Sequence, residues 1–189
     1  MTPVSSVLLL GLMVFWGVSL RNVLINSGTS DKSSNESPMS PWFILALSGS
    51  LLLFAESIAL IAIDLRGVYG GELNIVSGGG LGFFLCGCLL HSWSVIVRGR
   101  YSVSWGMSDE HRLITDPPYS LVRHPSYLAY FLMIIGVTLT WRQWYTILPW
   151  VAIPGYYQVS KREEEMLLER FGDQYKRYME KVPGFIPKI

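Results

Sequence analysis

Apolar side chains along this chain fall into five separated runs, and charged and polar side chains collect between them. A helix that crosses the hydrocarbon core of a bilayer needs ~20 mostly apolar residues. The first three runs come near this length. The last two are shorter and predict a tight helical hairpin that crosses only partway or is extended by flanking turns. The predicted spans are residues 4–20, 42–63, 77–97, 125–140 and 145–157. Pro149 and Pro154 interrupt the last run, so we expect a kink or an early exit there.

Residues 161–181 follow a different pattern, in which aromatic and apolar side chains recur at helical spacing and charges fill the other positions. The recurring side chains are those of Met166, Leu167, Phe171, Tyr175 and Tyr178. This predicts an amphipathic helix that lies on the membrane surface or caps the bundle. The whole pattern predicts an all-α, polytopic membrane helix bundle of about five transmembrane helices plus this C-terminal helix. We expect a single domain, in which residues 1–97 form three N-terminal spans and residues 98–189 form the functional region.

The composition agrees with a membrane bundle. Half of the 189 residues are hydrophobic, and an ordinary soluble domain of this size does not need several separated apolar runs. The formal net charge is only +1, so nucleic acid is not an expected partner. Cys86 and Cys88 lie inside an apolar run and point about 200° apart on a helix. They predict packing within a span, and neither a disulfide nor a zinc site with His91 is expected.

The positions of lysine and arginine predict how the bundle is oriented. Five spans place the two termini on opposite sides of the membrane. If the C-terminal tail is cytoplasmic, only Arg66 and Arg142 of the 15 lysines and arginines lie on the other side. Because cytoplasmic loops are enriched in these residues, we expect the N-terminus on the non-cytoplasmic side. The segment 101–125 and the tail helix then share the cytoplasmic face, where their charged clusters can meet.

The first charged cluster ends the 101–125 segment and continues into the fourth span, over residues 119–127. Pro125 suits the first turn of a helix because it has no N–H to lose there. Arg123 and His124 then stand at the positive end of that helix, which favours a bound carboxylate or another anion. Taken alone, these residues also fit a juxtamembrane basic cluster that meets lipid headgroups beside interfacial tyrosines.

The second charged cluster consists of three adjacent acids, Glu163, Glu164 and Glu165. They are predicted to open the tail helix, where acids stabilise the helix dipole. Three consecutive residues cover most of a helix circumference, so at least one of them faces the bundle. Glu56 is a further candidate because an ionisable residue inside a span is functional by default. It either hydrogen-bonds within the bundle or lines a substrate cavity.

Three blocks of sequence stand in order over about residues 98–189. They are residues 113–119, residues 123–127, and Glu163-Glu164 followed by Leu167, Phe171-Gly172, Tyr175, Tyr178 and residues 182–187. Together these blocks resemble the isoprenylcysteine carboxyl methyltransferases, which are small integral-membrane enzymes similar to phospholipid methyltransferases. The N-terminal half is similar to them only as generic spans.

The resemblance implies that S-adenosylmethionine is the cofactor, held between the start of the fourth span and the C-terminal segment. The implied cofactor-binding residues are His111, Arg112, Leu113 and Ile114 on the adenosine side, Tyr119, His124, Pro125, Ser126 and Tyr127 around the cofactor, the acid Glu163, and Ser104 as a further polar contact. Two catalytic roles are hypotheses. Arg123 orients the acceptor or organises the site, and Glu164 holds Arg123 or acts as a base.

The implied acceptor is lipophilic, a prenylcysteine carboxylate or a similar group that arrives from the membrane lipid. A carboxylate is ionised at neutral pH and needs no base, whereas an amine or a thiol does. Val159 stands four residues before Glu163, where carboxyl methyltransferases commonly carry an arginine that can pair with a substrate carboxylate. The residues therefore indicate the methyl donor more strongly than the acceptor. The alternative functions are an NADPH-dependent membrane sterol-type reductase and a non-catalytic membrane protein.

Overall fold

The computed structural model describes residues 2–26, 40–67, 73–102 and 111–186. Within these ranges every regular element is helical, which confirms the predicted all-α class. The elements are α1 (Pro3–Asn26), α2 (Pro41–Leu65), α3 (Ile75–Arg98), α4 (Pro125–Trp141), a 3₁₀ helix (Trp144–Val151), α5 (Ala152–Phe171) and α6 (Asp173–Lys181). Helices α1, α2 and α3 are long and apolar enough to cross a membrane, and α4 is a shorter apolar helix. The first four predicted spans lie within these four helices.

Local sequence signals set where the helices begin. The Ser40 hydroxyl accepts a hydrogen bond from the Phe43 N–H at the start of α2. At the start of α3, the Asn74 side chain accepts from the Ser77 N–H, and the Ser77 hydroxyl accepts from the Asn74 N–H. Such caps satisfy backbone donors that have no partner in a first turn. Pro125 takes the first position of α4, as the sequence predicts.

Glycines allow α4 to lie close against α3. These two helices form the most extensive helix pair among the described elements. A Cβ at Gly136 would lie 2.6 Å from the backbone nitrogen of Phe84, and a Cβ at Gly80 would lie 2.7 Å from the Gly136 carbonyl oxygen. Helices α2 and α5 approach as closely, because a Cβ at Gly155 would lie 2.5 Å from the backbone nitrogen of Ala46. Small residues permit this close contact in a membrane, where burial away from lipid supplies no hydrophobic drive.

The fifth apolar run and the tail form a connected piece of structure. Its first part is the 3₁₀ helix, which contains Pro149, and α5 follows with Pro154 in its first turn. The prediction of one amphipathic helix over residues 161–181 is wrong. Gly172, with a φ of 50°, ends α5, and α6 begins at the next residue. A glycine at positive φ commonly stops a helix because it has no Cβ to clash.

The three adjacent acids lie in the second half of α5, far from its first turn. Their predicted place at a helix start is therefore wrong, and so is the stabilisation by the helix dipole, which acts within the first turn. Glu163 is buried, Glu164 is half-buried and Glu165 is exposed. A buried carboxylate is costly without partners, so the first two must find theirs on other segments.

The remaining candidates of the sequence lie in the membrane helices. Glu56 is half-buried in α2, and its Oε2 has no hydrogen-bond partner among the residues described. On α3, Cys86 is exposed and Cys88 is buried. No group of three or more His, Cys, Asp or Glu side chains within the described ranges could hold a metal ion.

Candidate functional site

The segment after α6 folds back on the residues that precede α4. The N–H of Arg123 donates to the Pro183 carbonyl oxygen at 2.9 Å, and the N–H of His124 donates to the Gly184 carbonyl oxygen at 3.0 Å. On α6, the Tyr178 hydroxyl donates to the carbonyl oxygen of Tyr119 at 2.6 Å. These bonds hold the start of α4 against the C-terminal segment.

The guanidinium group of Arg123 connects α5 and α6 to the start of α4. Its Nε donates to Glu164 Oε1 at 2.8 Å. Its Nη1 donates to the carbonyl oxygens of Val182 at 2.6 Å and Met179 at 3.3 Å. These carbonyls lie at the C-terminal end of α6, where the helix dipole favours a cation. Arg123 is therefore held in place from two directions.

His124 lies between the two paired acids of α5, Glu163 and Glu164. Its Nε2 donates to Glu164 Oε1 at 2.8 Å, and its Nδ1 lies 3.8 Å from Glu163 Oε2. The Tyr127 hydroxyl donates to Glu163 Oε1 at 2.6 Å. Both acids are thus paired by side chains of the 119–127 cluster, and the two charged clusters of the sequence form one network.

Glu164 is the centre of this network and is ionised. Burial raises its pKa, but the hydrogen bonds and positive charges of His124 and Arg123 outweigh burial and leave the pKa below its ordinary value. An ionised carboxylate can only accept hydrogen bonds, so the Nε2 of His124 carries the proton of their shared bond.

A partly open cleft lies beside the network. Arg123 lines it, together with every predicted cofactor residue of the described ranges, namely His111, Arg112, Leu113, Ile114, Tyr119, His124, Pro125, Ser126, Tyr127 and Glu163. Ser104, the remaining candidate, lies outside the described residues. Glu164 is not part of the lining and contacts Arg123 and His124 from behind.

Five lining residues were not assigned to the site from the sequence: Arg98, Tyr101, Leu167, Tyr175 and Tyr178. Arg98 has the pattern of a basic residue that ends a span, and its sequence context gives no further signal. Leu167, Tyr175 and Tyr178 belong to the apolar stripe of the tail, which we expected to meet the membrane surface or cap the bundle. Tyr175 is fully buried, so this part of the stripe faces the protein.

His111 forms a flat, uncharged part of the cleft wall. Its ring is buried and meets the Tyr101 ring edge to face, with 5.6 Å between centroids. Burial lowers the pKa of His111, and the positive charge of Arg170 lowers it further. The imidazole is therefore neutral at pH 7.

The region that carries the cleft matches a known family. Residues 76–174, more than half of the chain, match the family model of phospholipid methyltransferases. The chain belongs to the phospholipid methyltransferase family. The match includes α3, α4 and α5, and residues of these helices supply much of the cleft lining. The resemblance predicted from the sequence is confirmed.

Similar curated proteins bear the name protein-S-isoprenylcysteine O-methyltransferase. The Schizosaccharomyces pombe protein is 32% identical over 114 residues, which cover 58% of this chain and 48% of the relative. Protein B of Arabidopsis thaliana is 25% identical, with 60% of each chain covered. The chain thus spans about half the length of these two relatives. A probable enzyme of the same name from Oryza sativa subsp. indica is 26% identical over 94% of this chain and 93% of the relative.

Proposed function

We propose that this chain is an integral-membrane methyltransferase that uses S-adenosylmethionine and methylates a lipophilic acceptor, a prenylcysteine carboxylate or a similar group. The observation that carries the proposal is the cleft beside the paired acids, where Glu163, Arg123 and His124 come together from α5 and the start of α4. The family membership and the names of the similar proteins support the same class of reaction.

The chemistry of the cleft lining fits this cofactor. Its ammonium and sulfonium groups are cationic, and Glu163 is a buried carboxylate in the cleft wall. Aromatic rings also attract such cations, and Tyr119 and Tyr127 line the same space. The neutral His111 ring beside the apolar Ile114 provides a surface suited to adenine. These residues would hold the cofactor, and Ser104 remains a predicted contact.

When bound, S-adenosylmethionine supplies an electrophilic methyl group, which an aligned nucleophile displaces. The contribution of this chain is to position the reactants. Arg123 lines the cleft and is fixed by Glu164 and by the end of α6, so it can orient an anionic group. Glu164 already accepts two hydrogen bonds and has a lowered pKa, which supports the role of holding Arg123 over that of a base. A carboxylate acceptor agrees with this role because it needs no base.

We further propose that the cleft opens to the cytoplasm and that the N-terminus lies on the opposite side of the membrane. The support is the distribution of lysine and arginine, of which only Arg66 and Arg142 lie at the opposite end in this topology. Large apolar side chains on α1, α2 and α3 are exposed, as expected for surfaces that meet lipid. A greasy acceptor could then arrive from the bilayer while the polar donor arrives from the cytoplasm.

Isothermal titration calorimetry on the purified protein tests the cofactor. We expect binding of S-adenosylhomocysteine and none of NADPH. Incubation with labelled S-adenosylmethionine then tests the acceptor against prenylcysteines, phosphatidylethanolamine and lipophilic thiols and amines. Label on a prenylcysteine carboxylate is the expected result. Binding of NADPH alone would support a reductase, and binding of neither ligand would support a non-catalytic protein.

A further inference from the structure

Two buried polar atoms of the cleft lining have no hydrogen-bond partner in the part of the chain that the structure describes. They are the Nε of Arg98, on the last residue of α3, and the Oγ of Ser126, in the first turn of α4. Ser126 is 9% exposed, and both residues line the cleft. A buried donor without a partner is costly, so such a pair indicates a ligand that supplies acceptor oxygens.

The surroundings of these two groups favour an anion. Arg98 is a permanent cation with several donors in a fork that matches a carboxylate. Ser126 and its neighbours Pro125 and Tyr127 place the positive end of α4 at the cleft. His124, the residue before α4, makes no side-chain capping hydrogen bond to the start of that helix. The Tyr119 hydroxyl donates to the Ser94 carbonyl oxygen at 3.4 Å and lines the same space, next to the side chains of Arg98 and Ser126.

Among the described residues of the cleft lining, Glu163 is the one carboxylate, and it is already paired. Glu163 accepts a short hydrogen bond from Tyr127 and lies next to His124 on the α5 side. Arg123 is likewise engaged by Glu164 and by carbonyl oxygens of the C-terminal segment. Val159, at the position where a carboxyl methyltransferase commonly carries its carboxylate-pairing arginine, is not part of the cleft lining. Two more arginines line the cleft, the exposed Arg112 and Arg98. Of these two, Arg98 has a buried Nε without a partner in the described ranges, so it is the candidate to pair with a carboxylate.

We propose that Arg98 and Ser126 form a carboxylate-binding subsite at the end of α3 and the start of α4. The carboxylate belongs either to the amino-acid end of the methyl donor or to the acceptor. This inference rests on the proposed methyltransferase function. It adds Arg98, which lies outside the three sequence blocks, as the partner of Ser126 at this subsite. If the carboxylate belongs to the acceptor, the arginine on α3 replaces the one that α5 lacks.

The test is to replace Arg98 by Gln and measure both ligands. If the carboxylate belongs to the methyl donor, Arg98→Gln should weaken the binding of S-adenosylhomocysteine roughly 10- to 100-fold, the loss expected for a charge-assisted hydrogen bond. Binding of 5′-methylthioadenosine, which lacks the amino-acid end, should stay unchanged. If the carboxylate belongs to the acceptor, Arg98→Gln should leave S-adenosylhomocysteine binding unchanged and should raise the KM for an N-acylated farnesylcysteine by a similar factor. The carboxamide of the same compound has no carboxylate, so its inhibition of the enzyme should be unaffected by Arg98→Gln.

Matched variants separate the subsite from general effects of charge and folding. Arg100→Gln removes an exposed arginine two residues away and should leave both ligands unaffected. Ser126→Ala should weaken the same ligand as Arg98→Gln, by about fivefold. Ser120→Ala, on an exposed serine, is its control. Arg98→Lys keeps the charge and should recover part of the loss, which a purely structural role would not predict.

Two outcomes would overturn the inference, and they differ in what else they overturn. If the unmodified protein binds S-adenosylhomocysteine and transfers methyl groups, while Arg98→Gln and Ser126→Ala behave like their controls, the subsite does not exist and the proposed function stands. If the unmodified protein binds no S-adenosylhomocysteine, the proposed function fails and the subsite fails with it.

Discussion

The membrane helices and the network of paired acids beside the cleft differ in how their buried polar groups are satisfied. Glu56 in α2 and His91 and Ser92 in α3 each have a buried polar atom without a partner in the described ranges. In the cleft network, Glu163 and Glu164 accept hydrogen bonds of 2.6–2.8 Å. The helices are joined through glycine contacts, so the bundle depends on shape and the site depends on charge pairing. Damage to one region should therefore look different from damage to the other.

Removal of one member of the half-buried charge pair should give the largest effect. Glu164→Ala leaves Arg123 and His124 without their carboxylate. Breaking a fully buried pair costs about 3–5 kcal/mol, so we expect the lower end of this range, about 3 kcal/mol, at this half-buried site. We expect binding of S-adenosylhomocysteine to weaken by roughly 10²-fold or more. Titration calorimetry measures the affinity, and circular dichroism checks that the helices remain.

The neighbouring acid provides the matched control. Glu165→Ala removes an exposed carboxylate from the same turn of α5 and should change the affinity by no more than about twofold. Similar losses in both variants would mean that the total charge of α5, and not the pairing of one acid, supports the site.

A packing change should affect stability without a selective effect on the site. Gly136→Leu places a side chain against the backbone of α3, and overpacking of this kind costs about 1–3 kcal/mol or more. The melting temperature in detergent should fall by at least ~2 °C, while the protein that remains folded keeps its ligand affinity. Gly82→Leu, where an added Cβ meets no atom within 4 Å, should have little effect. A selective loss of affinity in Gly136→Leu would contradict the division between shape and charge.

Acidification should act on the cleft through Glu164. Because its pKa is lower in the folded protein than its ordinary value of 4.5, its stabilising contribution is complete above about pH 4.5. That contribution is lost as the pH falls through the folded value. Stability should therefore decrease below pH 4.5, ligand affinity should decrease as the pH falls through the lower folded pKa, and Glu164→Gln should lack this part of the pH dependence. A profile that Glu164→Gln leaves unchanged would assign the titration to another group.

The smallest expected effect concerns the contact between α6 and the start of the cleft wall. Tyr178→Phe removes the hydroxyl that donates to the Tyr119 carbonyl oxygen, worth about 1 kcal/mol, and should weaken ligand binding by roughly fivefold. Tyr157→Phe, on an exposed tyrosine, should be silent. Equal behaviour of the two variants would show that this contact does not support the cleft.

The sequence predicts the membrane helices well because a long apolar run is a strong local signal. The start of α4 at Pro125 follows from the same kind of local chemistry. The tail was harder to predict, since a helical pattern continues across Gly172 although the backbone there leaves the helix. Pro154 also misleads as a breaker, because it lies in the first turn of α5, where a proline is tolerated.

The cleft shows a similar division. The basic run 119–127 and the adjacent acids mark two of its sides, and their meeting follows from the predicted topology. Arg98 and Tyr101 reach the cleft from the end of α3 and the residue segment that follows it. No periodicity relates them to Glu163, so only the three-dimensional arrangement identifies them. The partners of the two acids are also visible only in the three-dimensional arrangement, because Glu163 and Glu164 are adjacent in the sequence but contact different groups.

The backbone bonds between the start of α4 and residues 183–184 have a consequence for biogenesis. The ribosome makes α1 to α4 well before it reaches Pro183 and Gly184, which accept from Arg123 and His124. At ordinary elongation rates of ~5–20 residues per second, the apolar helices reach the insertion machinery seconds before the closing segment exists. During that interval the backbone bonds that hold the start of α4 against the C-terminal segment cannot yet form. A message truncated before residue 183 would therefore yield a protein that inserts but has no assembled site.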